Sequence, residues 1–163
     1  MFEKPELTNK DNAVVGLIKT FTDNPFNAVG ISEIAVLGVL SRCLEAVNKG
    51  VVVIAYNPKI AEVFVKPHPI LSNDLIPQDD FYTLQNAYLQ FARKSVVGDP
   101  IDHISLVLEI DKMVGNPVYV EDWVIPELLK QRILQVTLVE KKVNDQIVIV
   151  PAYMVVGNLA ETN

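Results

Sequence analysis

The sequence predicts an α+β fold: four to five helices and two β-hairpins in a single compact domain, residues 1–163, with loose ends at about 1–7 and 158–163. Three observations predict it. Several segments place apolar residues at helical spacing. Two segments, around 51–65 and 133–156, change to β-branched runs divided by a turn. In both halves helices precede the hairpin, a coarse α-α-β-β plan with little residue identity behind it, and so a weak sign of internal duplication.

The elements follow in order. Thr8 with Asp11 three residues on forms a capping box, and Val14, Leu17, Ile18 and Phe21 continue at helical spacing. Pro25 ends this helix, because it disfavours the helical region for Asn24. A second helix is predicted from about Gly30 to Lys49 and stops at Gly50. Ile34, Val36, Leu37, Val39, Leu40, Leu44 and Val47 surround its axis, which makes it a central helix. "VVVIAY" and "IAEVFV", joined by "NPK", form the first hairpin, and Pro67 and Pro69 stop its pairing. The segment "PHPILSNDLIP" reads as loop.

A third helix runs from about Gln78 to Val96. Asp79 and Asp80 in its first turn and Arg93 and Lys94 in its last complement the helix dipole, and Phe81, Leu84, Tyr88 and Phe91 form its apolar stripe. In "GDPIDHISL", Asp99 is an N-cap type, Pro100 fits the first helical position and Asp102 lies near the positive end. Ile101, Ile104, Val107 and Leu108 then share a side, and Gly115 closes the helix; the rival reading is a strand, on the alternation of Ile104, Leu106, Leu108 and Ile110. "NPVYVEDWVIPELLKQ" reads as an extended piece that becomes a short helix after Pro126. "ILQVTLVEKK", a turn at "VNDQ" and "IVIVPAYMVV" form the second, longer hairpin.

Composition bounds the function. The chain is 50% apolar with mean hydropathy +0.26. Its longest nearly apolar run, "AVGISEIAVLGVL", is short of the roughly 20 residues that cross a bilayer, so no membrane partner is expected. No basic, apolar leader opens the sequence, and the single cysteine, Cys43, forbids an internal disulfide and a multi-thiolate zinc site. A cytoplasmic setting is expected. The net charge of −6 is spread along the chain without a basic block, which opposes phosphate-backbone binding.

No cofactor is expected. The seven glycines make neither G-x-G-x-x-G nor a P-loop, and no G-x-S-x-G accompanies the serines. Cys43 sits among apolar neighbours as a buried thiol. His103 has no histidine at i+4, and His68, between two prolines, is an exposed loop residue; the two could share a metal only if the fold joined them near Asp74 or Asp79. Asp79-Asp80 and Glu121-Asp122 lack the alternating oxygens of a calcium loop.

What remains is surface. Pro151 cannot donate to a ladder, so the last strand is an edge strand or carries a bulge. Ile147, Val148, Ile149 and Val150 are nevertheless apolar on both faces, which invites pairing with another chain. Trp123 is a further interface candidate, with core packing as its alternative. The expected function is therefore non-enzymatic: an interaction or assembly protein that self-associates or docks to a protein partner. Examples are a structural subunit, as of a viral or phage particle, and a small acidic inhibitor or chaperone. Helices followed by a hairpin also resemble, in element order, a winged helix taken twice. That resemblance implies a nucleic-acid-binding module as the first alternative. A small-ligand or enzyme domain with a pocket near His68 is the second.

Overall fold

The computed structural model describes residues 1–20, 29–36, 38–59, 62–72 and 74–159. The first helix, α1 (Asn9–Thr20), begins at the predicted capping box: Thr8 N donates to Asp11 Oδ2 at 3.0 Å and Asp11 N to Thr8 Oγ1 at 3.2 Å. Val14, Val15 and Ile18 are its buried apolar face. Phe21 and the predicted stop at Asn24-Pro25 lie outside the described residues.

The predicted Gly30–Lys49 helix is in fact three elements: β1 (Val29–Gly30), α2 (Ile31–Val36) and α3 (Leu40–Asn48). Gly38 has φ 73°, a left-handed conformation that cannot continue a right-handed helix. The first hairpin is β2 (Val52–Asn57) with β3 (Glu62–Pro67), and its pairing extends to Pro67, opposite Val52.

In α4 (Phe81–Lys94), a 3-10 turn at Gln78–Asp80 replaces the predicted first turn. Leu84 and Tyr88 are buried, and Phe81 and Phe91 pack half-buried against the core. The "GDPIDHISL" segment divides differently from its prediction. Ile101–Asp102 is a short strand, β4, and α5 (His103–Val114) starts three residues late. Its cap is Asp102, not Asp99: Asp102 Oδ1 accepts from Ser105 N at 2.9 Å and Oδ2 from Ser105 Oγ at 3.0 Å. With Ile101 used as a strand residue opposite Tyr153, the buried side of α5 becomes His103, Leu106, Val107 and Ile110. Ile104 and Leu108 face solvent, which corrects the predicted face. The helix ends at Gly115 as expected, φ 77°, with its N–H on the Asp111 carbonyl at 2.8 Å.

The segment predicted as extended is helical throughout: α6 (Pro117–Tyr119), a π turn (Val120–Val124) and α7 (Ile125–Lys130). Asn116 caps it, accepting from Tyr119 N at 3.3 Å. Pro126 does not break the rod: it lies in the first turn of α7, directly after the π turn, where a proline is tolerated. The chain closes with β5 (Leu134–Val143) and β6 (Gln146–Val155). Asn144 and Asp145, at φ 50° and 63°, make the two-residue turn between them.

The two halves repeat one plan. α1-β1-α2-α3-β2-β3 is followed by α4-β4-α5-α6-α7-β5-β6, and the antiparallel sheets have orders β1-β3-β2 and β4-β6-β5. In each, a two-residue strand pairs with the last strand, and a helix pair turns at a left-handed glycine, Gly38 or Gly115. The coarse duplication seen in the sequence is thus a duplication of topology. The halves also share one hydrophobic core, in which α3 packs on α7 and β5. A Cβ on Gly50 would come within 3.2 Å of the Pro126 carbonyl oxygen, so the approach of the halves there depends on a glycine.

Candidate interaction surface and a sealed polar cluster

His103 enters the core as the first residue of α5 and finds two partners. Its Nε2 lies 2.7 Å from Glu121 Oε2 in the π turn, and its Nδ1 lies 2.7 Å from the Tyr153 hydroxyl on β6. A carboxylate only accepts, so Nε2 carries a proton and donates to Glu121, while Nδ1 shares a hydrogen bond with the Tyr153 hydroxyl. The same Glu121 oxygen accepts from Tyr56 N on β2 at 2.8 Å, which ties the first sheet to the second half. Burial, with the charge of Glu121 second, pushes the Tyr153 phenol up beyond its ordinary value. A hydroxyl-imidazole-carboxylate chain is the arrangement of a proton relay. Here all three side chains are buried, and what they satisfy is one another.

The other histidine is also interior. His68 is buried, not exposed as predicted, with its ring edge-on to Trp123 at 5.0 Å between centroids. Its Nδ1 accepts from Ile70 N at 3.0 Å, and the ring hydrogen-bonds the Asp122 carbonyl. That carbonyl is four residues before Pro126, which has no N–H to offer it, so His68 supplies the missing donor. Burial first, then the charges of Lys130 and Lys66, lowers the His68 pKa to about 4. Lys66 Nζ meets Asp122 Oδ1 at 2.8 Å; burial pushes that carboxyl up and Lys66 partly offsets it. His68 and His103 therefore flank one π turn, each already occupied. Among the described residues no group of three or more acidic, histidine or cysteine side chains could hold a metal. Cys43 is buried, and burial alone raises its thiol to about 11.

Three openings in the surface lie away from the His103–Glu121–Tyr153 cluster. A cleft of about 10 Å³, room for about one water, lies among Phe2, His68, Trp123, Glu127 and Lys130. The segment before α1 covers it: Phe2 N donates to Glu127 Oε1 at 3.3 Å, and Lys130 Nζ to the Glu3 carbonyl at 3.0 Å. Two wider grooves lie at Asn48, Lys49 and Arg132, about 510 Å³, and at Phe91, Ile101 and Met113, about 420 Å³. None of the three is lined by His103, Glu121 or Tyr153.

The hairpin β5–β6 has ten residues in each strand, about 34 Å at the usual rise. Val156 N bonds the Ile133 carbonyl at 2.9 Å, and this fixes which residues face which way along the register. In β6 the even-numbered amides point to β5 and those of Ile147, Ile149 and Tyr153 point outward. Tyr153 is opposite Ile101 of β4, as that parity requires. Pro151 also faces outward, so its missing N–H costs the β5 ladder nothing. β6 is thus flanked by β4 only at Ala152 and Tyr153; beyond Pro151 its outer edge has no neighbouring strand among the described residues. The side chains that follow Tyr153 and Pro151 on the core face run past the body: Ile147 is 70% and Ile149 59% exposed. Val148 and Val150 on the opposite face are half-buried. Trp123, the remaining interface candidate, is only 4% exposed and belongs to the core.

Comparison with known protein families, curated proteins and solved structures finds no match for this chain. Among the described residues no helix is long and apolar enough to cross a membrane.

Sequence reasoning missed the relay. Its one local signal is a histidine on the otherwise apolar row of Leu106, Val107 and Ile110.

Proposed function

We propose that this chain is a non-enzymatic, cytoplasmic interaction protein whose β5–β6 arm joins it to another protein chain, as in a structural subunit or a small acidic regulator. One observation carries the reading: Ile147 and Ile149 are largely exposed on a strand whose outer edge there meets no other strand among the described residues. An uncovered apolar edge is a template for strand addition, which natural proteins otherwise blunt with charge, proline or a covering element. Burial of His103, Glu121 and Tyr153 in one another's hydrogen bonds supports the non-enzymatic part.

The winged-helix resemblance is weaker support for nucleic-acid binding than its topology first suggests. In a helix-turn-helix the second helix enters the major groove. Here those helices, α3 and α7, pack on each other, and Ile125, Pro126, Leu128 and Leu129 of α7 are buried. The net charge of −6 opposes phosphate contacts as well.

Light scattering over a concentration series, with hydrogen exchange of the arm, tests the reading. Association is expected, with slow exchange at Ile147 and Ile149 that is lost when both are changed to Lys. A monomer at every concentration, with those two amides already as protected as Tyr153, would mean the arm is covered by its own chain and would end the reading.

A further inference from the structure

Resting on the reading of the arm as a docking element, we infer that its partner is a second copy of this chain, joined through the outer edge of β6 antiparallel to itself around Val148. The window is defined at both ends. On one side the chain turns at Asn144 and Asp145, and on the other Pro151 offers no N–H and β4 occupies Ala152 and Tyr153. Between them lies Gln146–Val150, which contains no charged residue. The rival edge is different. Along β5 the near end is taken by Asn48, whose Oδ1 accepts from Val136 N at 2.8 Å, and the far end carries Glu140, Lys141 and Lys142. Charge of this kind protects an edge from pairing, so β5 is guarded and β6 is not.

The window is also self-complementary, as a twofold contact requires. With Val148 opposite Val148 of the second copy, Ile147 faces Ile149 twice. Their outward N–H and C=O groups are then in register for the antiparallel ladder. The two isoleucines that each copy leaves exposed on this strand, Ile147 and Ile149, close over those of the other on one face of the joined sheet. This register sets Asn144 of the second copy opposite Ala152. The incoming hairpin therefore ends where β4 begins, and the length of the open edge matches the length of strand that fills it. A different protein chain could offer an edge, but nothing would make it end at that point.

The test uses the full chain and three substitutions. At positions 149 and 140 the amide points away from the partner strand within the hairpin, so Ile149→Pro and Glu140→Pro each remove an outward donor and keep the β5–β6 ladder. Light scattering should find a dimer for the wild type and for Glu140→Pro, and a monomer with an unchanged circular-dichroism spectrum for Ile149→Pro. Val148→Cys should form a covalent dimer under mild oxidation, because position 148 lies on the twofold axis at a close-approach site of the ladder. Cys43 is buried and its thiol is raised to about 11, so the wild type is the unreactive control. Should Ile149→Pro fail to fold, the cross-link decides. A monomeric wild type overturns the inference. A dimer that Glu140→Pro dissolves, or that Val148→Cys does not cross-link, overturns it too, yet leaves the arm as a docking element.

Discussion

At His68 a buried ring uses both nitrogens on backbone, accepting from Ile70 N and bonding the Asp122 carbonyl. A second proton would have to displace the Ile70 hydrogen bond, close to the charges of Lys66 and Lys130. The folded pKa of about 4 lies below the ordinary 6.5, so between those values the unfolded chain binds more protons than the folded one. The His68 contribution to stability is then complete above pH 6.5 and is lost as pH falls toward 4. It amounts to about 3 kcal/mol over that window, at 1.36 kcal/mol per unit. Asp122, pushed up by burial, works in the opposite direction. Urea unfolding at pH 7 and pH 4.5 should show the wild type losing markedly more stability than His68→Gln; equal losses in the two proteins would refute this account. None of this was legible locally, since a histidine between prolines reads as loop. His103 was hidden for a related reason: its partners Glu121 and Tyr153 are 18 and 50 positions away, a distance only tertiary structure closes.

Elements with complete local grammar were read correctly. The Thr8–Asp11 box starts α1, and Gly115 stops α5 where it should. The same holds for the hairpin turn at Asn144-Asp145, whose two left-handed residues suit the twist of paired strands. Misreadings arose where two signals competed. Asp99-Pro100 imitates a helix start, but the ladder between Ile101 and Tyr153 takes that stretch as strand and passes the cap to Asp102. Pro126 imitates a helix start too, but the rod already begins at Pro117 and runs through the π turn into α7. Where periodicity and burial agree, a magnitude can be assigned. Leu84 is completely buried on α4, in the row with Tyr88. Leu84→Ala should cost about 2–5 kcal/mol in chemical denaturation, the range for a buried leucine that leaves a cavity. A loss below about 0.5 kcal/mol would be that of a solvent-facing residue, and the stripe would then have to be reconsidered as a surface.

Across the whole molecule, repeated topology raises the question of whether each half could fold alone. Repeated units with cores of their own should; units that complete each other should not. The contacts favour completion. Tyr56 N bonds Glu121 at 2.8 Å, Lys66 pairs with Asp122 at 2.8 Å, Asn48 closes the edge of β5 at Val136, and His68 packs on Trp123. Each of these joins a first-half residue to a second-half one, and separation would take the Tyr56 donor from Glu121, the Lys66 partner from Asp122 and the His68 donor from the Asp122 carbonyl. Such unsatisfied buried groups cost about 1–3 kcal/mol each, more for a charged one. The apolar loss is larger in kind, because Cys43, Ala46 and Val47 of α3 share one core with Leu128 and Leu129 of α7. Cutting the chain at the exposed Leu75, between Asp74 and Leu75, tests this directly. Fragments 1–74 and 75–163 made separately should lack cooperative thermal unfolding and a near-ultraviolet circular-dichroism signal, and should regain both when mixed in equal amounts. Cooperative melting of either fragment alone would mean that the repeat is two domains in contact. The seam at the π turn would then be an interface between finished units instead of part of their common core.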